Sequence, residues 1–230
     1  MAAASESSYF FKSTIAKKIM MALTGLFLIL FLMGHLAGNL QLIFAGQTQF
    51  NEYAYFMTHN PLVKILSYTT YTCIILHVVD AILITLHNRS ARPVGYAKSV
   101  GGNVNSQWTS RNMGVLGTLV LVFLVIHMQQ FWYVMHWGAV PYQTLETGEQ
   151  LKDLYTMVKE AFGQPLYVLM YVASMCAVGF HLWHGFASAF QTLGLGHKSY
   201  AGMVQFVGRA FAVVVAGLFA AIPLYMFFVK

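Results

Sequence analysis

Four histidines interrupt otherwise apolar stretches of the chain: His35, His77, His127 and His181. An ionisable side chain inside a run long enough to cross a bilayer is costly, and it marks a functional position. Imidazole is a good ligand for iron, and two imidazoles from two helices supply both axial positions of a haem. Two other uses of such residues compete: hydrogen bonds between helices, and a metal or proton channel. A channel needs converging carboxylates, and Asp80 is the only acidic residue deep in an apolar stretch. Packing needs explain one intramembrane histidine easily. Four of them, one per segment, point to haem ligation.

The elements that must carry these residues follow from composition. The chain has 230 residues, of which 58% are hydrophobic, 15% aromatic and 9% charged. A soluble domain carries roughly a quarter charged residues, so a soluble globular enzyme is excluded, as are disorder and a disulfide scaffold. Cys73 and Cys176 each stand alone in apolar runs and form no C-x-x-C pair. Five stretches reach the roughly 20 apolar residues that a bilayer core requires: 19–44, 62–86, 113–137, 166–190 and 210–229. None alternates with the period of two that a membrane barrel shows, and in lipid every backbone group must pair internally, so helix is the reading. The expected fold is all-α, a single transmembrane domain over 1–230. The first segment is too long and too late for a cleaved signal peptide. Short connections at 46–61, 88–112, 141–164 and 194–205 leave no room for a soluble catalytic domain. No P-loop, dinucleotide fingerprint, nucleophile elbow or H-E-x-x-H is present.

Each histidine lies a little past the midpoint of its segment in chain direction. Because the helices alternate in direction, His35 and His127 fall in one layer and His77 and His181 in another. The layers are expected roughly 9 Å apart at 1.5 Å rise per residue. Small residues stand nearby: Gly34 and Gly38, Gly117, and Gly179 and Gly185. They allow close packing of helices or of a porphyrin face. His184 is the reserve ligand in the fourth segment. His59, His87, His136 and His197 sit at segment ends or in connections, where a solvated histidine is ordinary. Asp80, one turn after His77, has two equal readings: a structural hydrogen bond or proton handling.

Orientation comes from the basic residues. Lys12, Lys17, Lys18, Arg89, Arg92, Lys98, Arg111, Lys198 and Arg209 share one side, nine of the thirteen; Lys64, Lys152, Lys159 and Lys230 are on the other. The positive-inside rule then puts the N-terminus in the cytoplasm and the C-terminus outside. The scattered basic residues account for most of the net charge of +6 without a nucleic-acid partner.

The stretches MALTGLFLILFLMGHLAGNL around His35, ILHVVDAI around His77, GTLVLVFLVIHMQQF around His127 and FHLWHGFASAFQTLG around His181 resemble a known family. It is the diheme cytochrome b membrane subunit of succinate:quinone oxidoreductases, the succinate dehydrogenases and fumarate reductases, in its single-subunit five-helix form. The resemblance covers nearly the whole chain, although the fifth segment is generic. It implies two haems b, with His77 and His181 holding the inner one and His35 and His127 the outer one. It also implies a bacterial cytoplasmic membrane and a flavoprotein subunit with FAD. An iron–sulfur subunit would dock on the cytoplasmic face, and electrons would pass to a quinone of the menaquinone type. Arg111 is then a candidate partner of the inner haem's propionates, with a snorkelling anchor as the equal alternative. The family's functional carboxylate before its second helix corresponds to Glu52, the expected proton-exchanging group at the quinone, with His59 and His136 next in line. The acidic stretch with Glu146, Glu149 and Asp153 matches no family motif. The runners-up are the diheme cytochrome of respiratory nitrate reductase, whose ligands cluster on two helices, and a transporter without cofactor.

Overall fold

The computed structural model describes residues 13–91 and 107–229. Lys12, Arg92, Lys98 and Lys230 lie outside the described residues, as do the corresponding parts of the 1–230 domain. Five helices are long and apolar enough to cross a membrane. In chain order the elements begin with α1 (Thr14–Asn39), one-turn α2 (Gln41–Phe44), α3 (Gln47–His59) and α4 (Pro61–Ser90). After the undescribed stretch come α5 (Trp108–Arg111), α6 (Met113–His127), a π-helical segment (Met128–Tyr133) and α7 (Val134–Trp137). A hairpin of β1 (Tyr142–Thr144) and β2 (Gln150–Lys152) follows, then α8 (Leu154–Phe162), α9 (Pro165–Thr192) and α10 (Ala201–Phe228).

The helices outrun the apolar stretches. α1 starts at residue 14 rather than 19, α4 ends at 90 rather than 86, and α10 starts at 201 rather than 210. Hydropathy stops at the first charged residue, whereas helical hydrogen bonding runs on to the cap. Ser13 Oγ accepts from the Ala16 N–H at 3.1 Å and starts α1. Asn60 Oδ1 accepts from the N–H groups of Leu62 and Val63, with Pro61 preset in the first turn of α4. Lys17, Arg89 and Arg209 are carried inside helix ends, from which long basic side chains reach the interface.

Two expected connections are structured. Residues 46–61 hold α3, and residues 141–164 hold the hairpin and α8. The fold is therefore helical with one small sheet, not purely all-α. The hairpin registers Tyr142 with Lys152 and Thr144 with Gln150. Its tip closes through Gly148, at φ 85°, a left-handed position that glycine takes without strain. α8 buries Leu154, Val158 and Phe162, spaced four apart on one stripe.

In the bundle, α1 packs along α4 and α9, and α9 packs along α6 and α10. α4 and α6 make no extended contact; the π-helical segment after α6 reaches α4 where Trp132 Nε1–H donates to the Tyr71 hydroxyl at 2.8 Å. Large apolar residues such as Leu30, Leu66, Leu169 and Phe206 are exposed along the long helices, as suits a lipid-facing surface.

Candidate functional site

Each of the four helices α1, α4, α6 and α9 contributes one histidine to the bundle interior, and the rings meet in two pairs. His35 and His127 have ring centroids 5.9 Å apart with planes at 86°. His77 and His181 are 6.3 Å apart with planes at 65°. Both pairs join diagonal helices, α1 with α6 and α4 with α9, which do not pack closely on one another. These are the pairs read from depth in the sequence. All four residues are only half-buried.

The separation of the pairs corrects the sequence arithmetic. On α1, Gly25 faces His77 and His35 faces His127. On α6, Gly117 faces His181, ten residues before His127. On α9, Tyr171 reaches His127, ten residues before His181. Ten residues of helix rise about 15 Å. The layers lie that far apart along each of the three helices, instead of roughly 9 Å. The shorter figure assumed segments that begin and end at common planes; the helices are longer and staggered.

Partners around His77 and His127 set which nitrogen of each ring is free. The Thr24 hydroxyl donates to Met20 O at 2.8 Å, so its oxygen accepts from His77 Nδ1–H at 3.1 Å. The Tyr171 hydroxyl donates to Gln130 Oε1 at 3.1 Å and presents its oxygen to His127 Nδ1 at 3.4 Å. Each leaves Nε2 with an available lone pair, the second-shell pattern of metal-binding histidines. His181 Nδ1 is buried with no hydrogen-bond partner among the described residues, a further unengaged nitrogen in the His77–His181 pair. His35 Nδ1 lies 3.4 Å from Asn39 Nδ2. Thr24, Tyr171 and Gln130 were not singled out from the sequence; a hydroxyl or amide inside an apolar run is the signal that could have found them.

These observations fit a haem at each pair. A metal–imidazole bond of about 2 Å on either side of one atom, added to the ring radii, sets the centroids roughly 6 Å apart. A Cβ built on Gly25 would stand 3.3 Å from His77 Cε1, and one on Gly117 would stand 3.7 Å from His181 Cε1. Glycine thus lets the backbone approach both rings of that pair. Gly34 and Gly185 have open space within 4 Å. Gly38 and Gly179 serve packing instead: a Cβ would meet the Tyr53 ring or Ala216.

His184 is half-buried three residues beyond His181, and it is the His181 ring that faces His77. Asp80 has its Oδ2 buried without a hydrogen-bond partner among the described residues, with Lys17 and His77 as its charged neighbours. Arg111 is exposed at the end of α5. Arg209 stacks over Trp183, two residues past His181, at 5.3 Å, a cation on the side of the His77–His181 pair. His87 lies 3.4 Å from Thr14 Oγ1, and His197 accepts from the Ser199 N–H at 3.3 Å, both exposed.

At the hairpin end of the bundle a cavity of about 480 Å³ lies between α3, the start of α4, α7 and the hairpin. His59 and His136 line it, together with Lys64 and Lys152. Glu52 is exposed on α3 and is not among its lining residues. A buried polar cluster holds the hairpin over it. Asp153, 6% exposed, accepts from Gln47 Nε2 at 2.6 Å and Asn51 Nδ2 at 2.8 Å, and it caps α8 at the Thr156 N–H. Burial alone would raise the Asp153 carboxyl, but hydrogen bonds from Asn51, Thr156 and Gln47 outweigh it and hold it below the usual carboxylate range. Asn51, 1% exposed, also donates to Gln143 Oε1 at 2.8 Å and accepts from the Tyr155 N–H at 3.0 Å.

The π-helical segment directly after His127 was also unforeseen. Its extra residue rotates all that follows by about 100° around the helix axis, which sets Trp132 and His136 relative to His127. The pair Gln129-Gln130 in an apolar span is its sequence signal. Comparison with known proteins found no matching family model, no matching curated protein and no matching solved structure.

Proposed function

We propose that this chain is the membrane cytochrome b subunit of a succinate:quinone oxidoreductase, holding two haems b. The single observation that carries the reading is the pairing of four intrabundle histidines across diagonal helices at 5.9 and 6.3 Å. His35 and His127 are the axial ligands of one haem, His77 and His181 of the other. Haem iron supplies one-electron transfer between the two faces of the membrane. The protein's own residues do the rest. Thr24 and Tyr171 orient ligand rings, Gly25 and Gly117 admit the inner pair, and Arg111 and Arg209 would be the cations that pair with inner propionates.

Under the positive-inside rule the starts of α1 and α6 lie in the cytoplasm of a bacterium, and the hairpin end lies outside. A flavoprotein with FAD and an iron–sulfur subunit dock on the cytoplasmic face, and the quinone, of the menaquinone type, exchanges electrons near His35 and His127. The test is a reduced-minus-oxidised absorption spectrum of the chain purified from its native membrane. Sharp α-bands of two b-type haems per chain, with a co-purifying flavoprotein, are expected. A spectrum without haem bands points to a transporter, and haem without the flavoprotein points to another respiratory complex.

A further inference from the structure

The cavity at the hairpin end holds two histidines whose tautomers are set by their own helices. His59 Nδ1 lies 2.8 Å from Tyr55 O, and His136 Nδ1 lies 2.8 Å from Trp132 O. A carbonyl oxygen only accepts, so in both rings Nδ1 carries the hydrogen. That leaves both Nε2 atoms to accept a hydrogen bond when the ring is neutral, or to donate one when it is protonated. Each ring also contacts an aromatic: His59 stacks on Tyr55 at 3.9 Å, and His136 meets Trp132 at 4.7 Å with the planes tilted by 42°. The two rings line the cavity from different elements, α3 and α7. Its volume, about 480 Å³, lies within the roughly 300–1,000 Å³ of small-molecule sites. Among the described residues no carboxylate lines it; the other ionisable lining groups are Tyr55, Tyr142, Lys64 and Lys152. Lys152 Nζ donates to Met135 O at 2.6 Å, which ties the hairpin to α7 beside His136.

We propose that His59 and His136 are the two proton-exchanging residues of the quinone site, one for each oxygen of the quinone ring. The inference rests on the haem reading above. In the direction of reduction, the quinone needs two electrons, which a haem held by His35 and His127 would supply one at a time. Two protons come from the Nε2–H bonds of the two imidazolium rings, so two N–H bonds break and two O–H bonds form. Each neutral ring regains its proton from water at that end of the molecule; quinol oxidation runs the same transfers backwards. In either direction Nδ1–H stays on its carbonyl, so the ring does not turn during transfer. Trp132 bridges the distance inward, touching His136 and, through its N–H, Tyr71. Its chain neighbour Phe131 contacts His127 at 5.5 Å.

The experiment uses the complex in its own membrane, with 2,3-dimethyl-1,4-naphthoquinone and its quinol as probes. His59→Gln, His136→Gln, the double variant and Glu52→Gln are compared. The haem spectrum of each variant first shows whether the bundle has folded and loaded. Quinone binding is read from quenching of tryptophan fluorescence, because Trp132 and Trp137 lie 4.7 and 5.3 Å from the His136 ring. Haem reduction by the quinol is followed by stopped flow. The expected results are both haems retained, quinone binding weakened about tenfold per histidine, and quinol-driven reduction slowed at least 100-fold in the double variant. Normal reduction in the double variant with both haems present overturns the assignment, as does loss confined to Glu52→Gln. A wild-type chain without haem would instead defeat the haem reading, and that is seen before any variant is made.

Discussion

Replacing Asp153 by alanine should release the hairpin and α8 from α3 while leaving the membrane bundle intact. Asp153 caps α8 through the Thr156 N–H at 3.1 Å, and loss of such a cap costs about 1 kcal/mol. Asn51 Nδ2 keeps its bond to Gln143, and Gln47 Nε2 keeps a contact with Thr156 Oγ1 at 3.3 Å. Each therefore loses one partner of two, at roughly 0.5 kcal/mol apiece. The sum of about 2 kcal/mol corresponds to an increase of roughly 30-fold in local opening. Amide hydrogen exchange reads it directly: the Tyr155 and Thr156 N–H groups and the hairpin should exchange roughly 30-fold faster. Amides in α9 should be unaffected. Asp153 also predicts a pH dependence. Its folded-state pKa is depressed, so its contribution is complete above the unfolded carboxylate value of about 4 and disappears as pH falls through the lower folded value. Wild-type protection of α8 should hold steady from neutrality to about pH 5 and fall in strongly acidic buffer; Asp153→Asn should lack that acid transition. Unchanged exchange at Thr156 in Asp153→Ala, or the same acid transition in Asp153→Asn, would refute the reasoning.

Thr24→Val removes the acceptor on His77 Nδ1 and should weaken inner-haem retention by 10- to 100-fold, read as a haem-to-chain ratio falling from two toward one; a full ratio after dialysis against apomyoglobin contradicts this. Gly38→Ala puts a Cβ 2.6 Å from the Tyr53 hydroxyl, so overpacking between α1 and α3 should cost about 1–3 kcal/mol, seen as a lower thermal midpoint in detergent; an unchanged midpoint means Tyr53 moves freely. A reporter inserted at Gly148 should read as external and one in the connection 88–112 as cytoplasmic; reversed labelling inverts the haem layers and the proposed electron path.

The five helices were legible because lipid imposes one rule on every residue of a span, and apolar runs record it. The histidine pairing was legible for a related reason: with helices alternating in direction, depth alone sorts His35 with His127 and His77 with His181. Distances between layers were not, because depth was measured from the ends of apolar runs, and Lys17, Arg89 and Arg209 lie inside helices rather than beyond them. The hairpin was hidden by its shortness. Three-residue strands leave almost no alternation to read, and the one strong mark is Gly148. Least legible was the cavity, since its walls come from four separate elements and its histidines look like ordinary interface residues. Only the carbonyls of Tyr55 and Trp132, at hydrogen-bond distance from their rings, distinguish them. Glu52, chosen from the resemblance, stands one residue from Asn51, which lines that cavity, but on an α-helix the next residue points about 100° away.

The central claim is that two haems are held by two defined histidine pairs, and it is tested most directly by haem spectra of four single variants in the native membrane. His77→Ala and His181→Ala should each remove the same one of two b-type components, and His35→Ala and His127→Ala should each remove the other. Loss that crosses the pairs, such as His77→Ala and His127→Ala removing one component together, would contradict the account, and so would His184→Ala abolishing a haem that His181→Ala leaves in place.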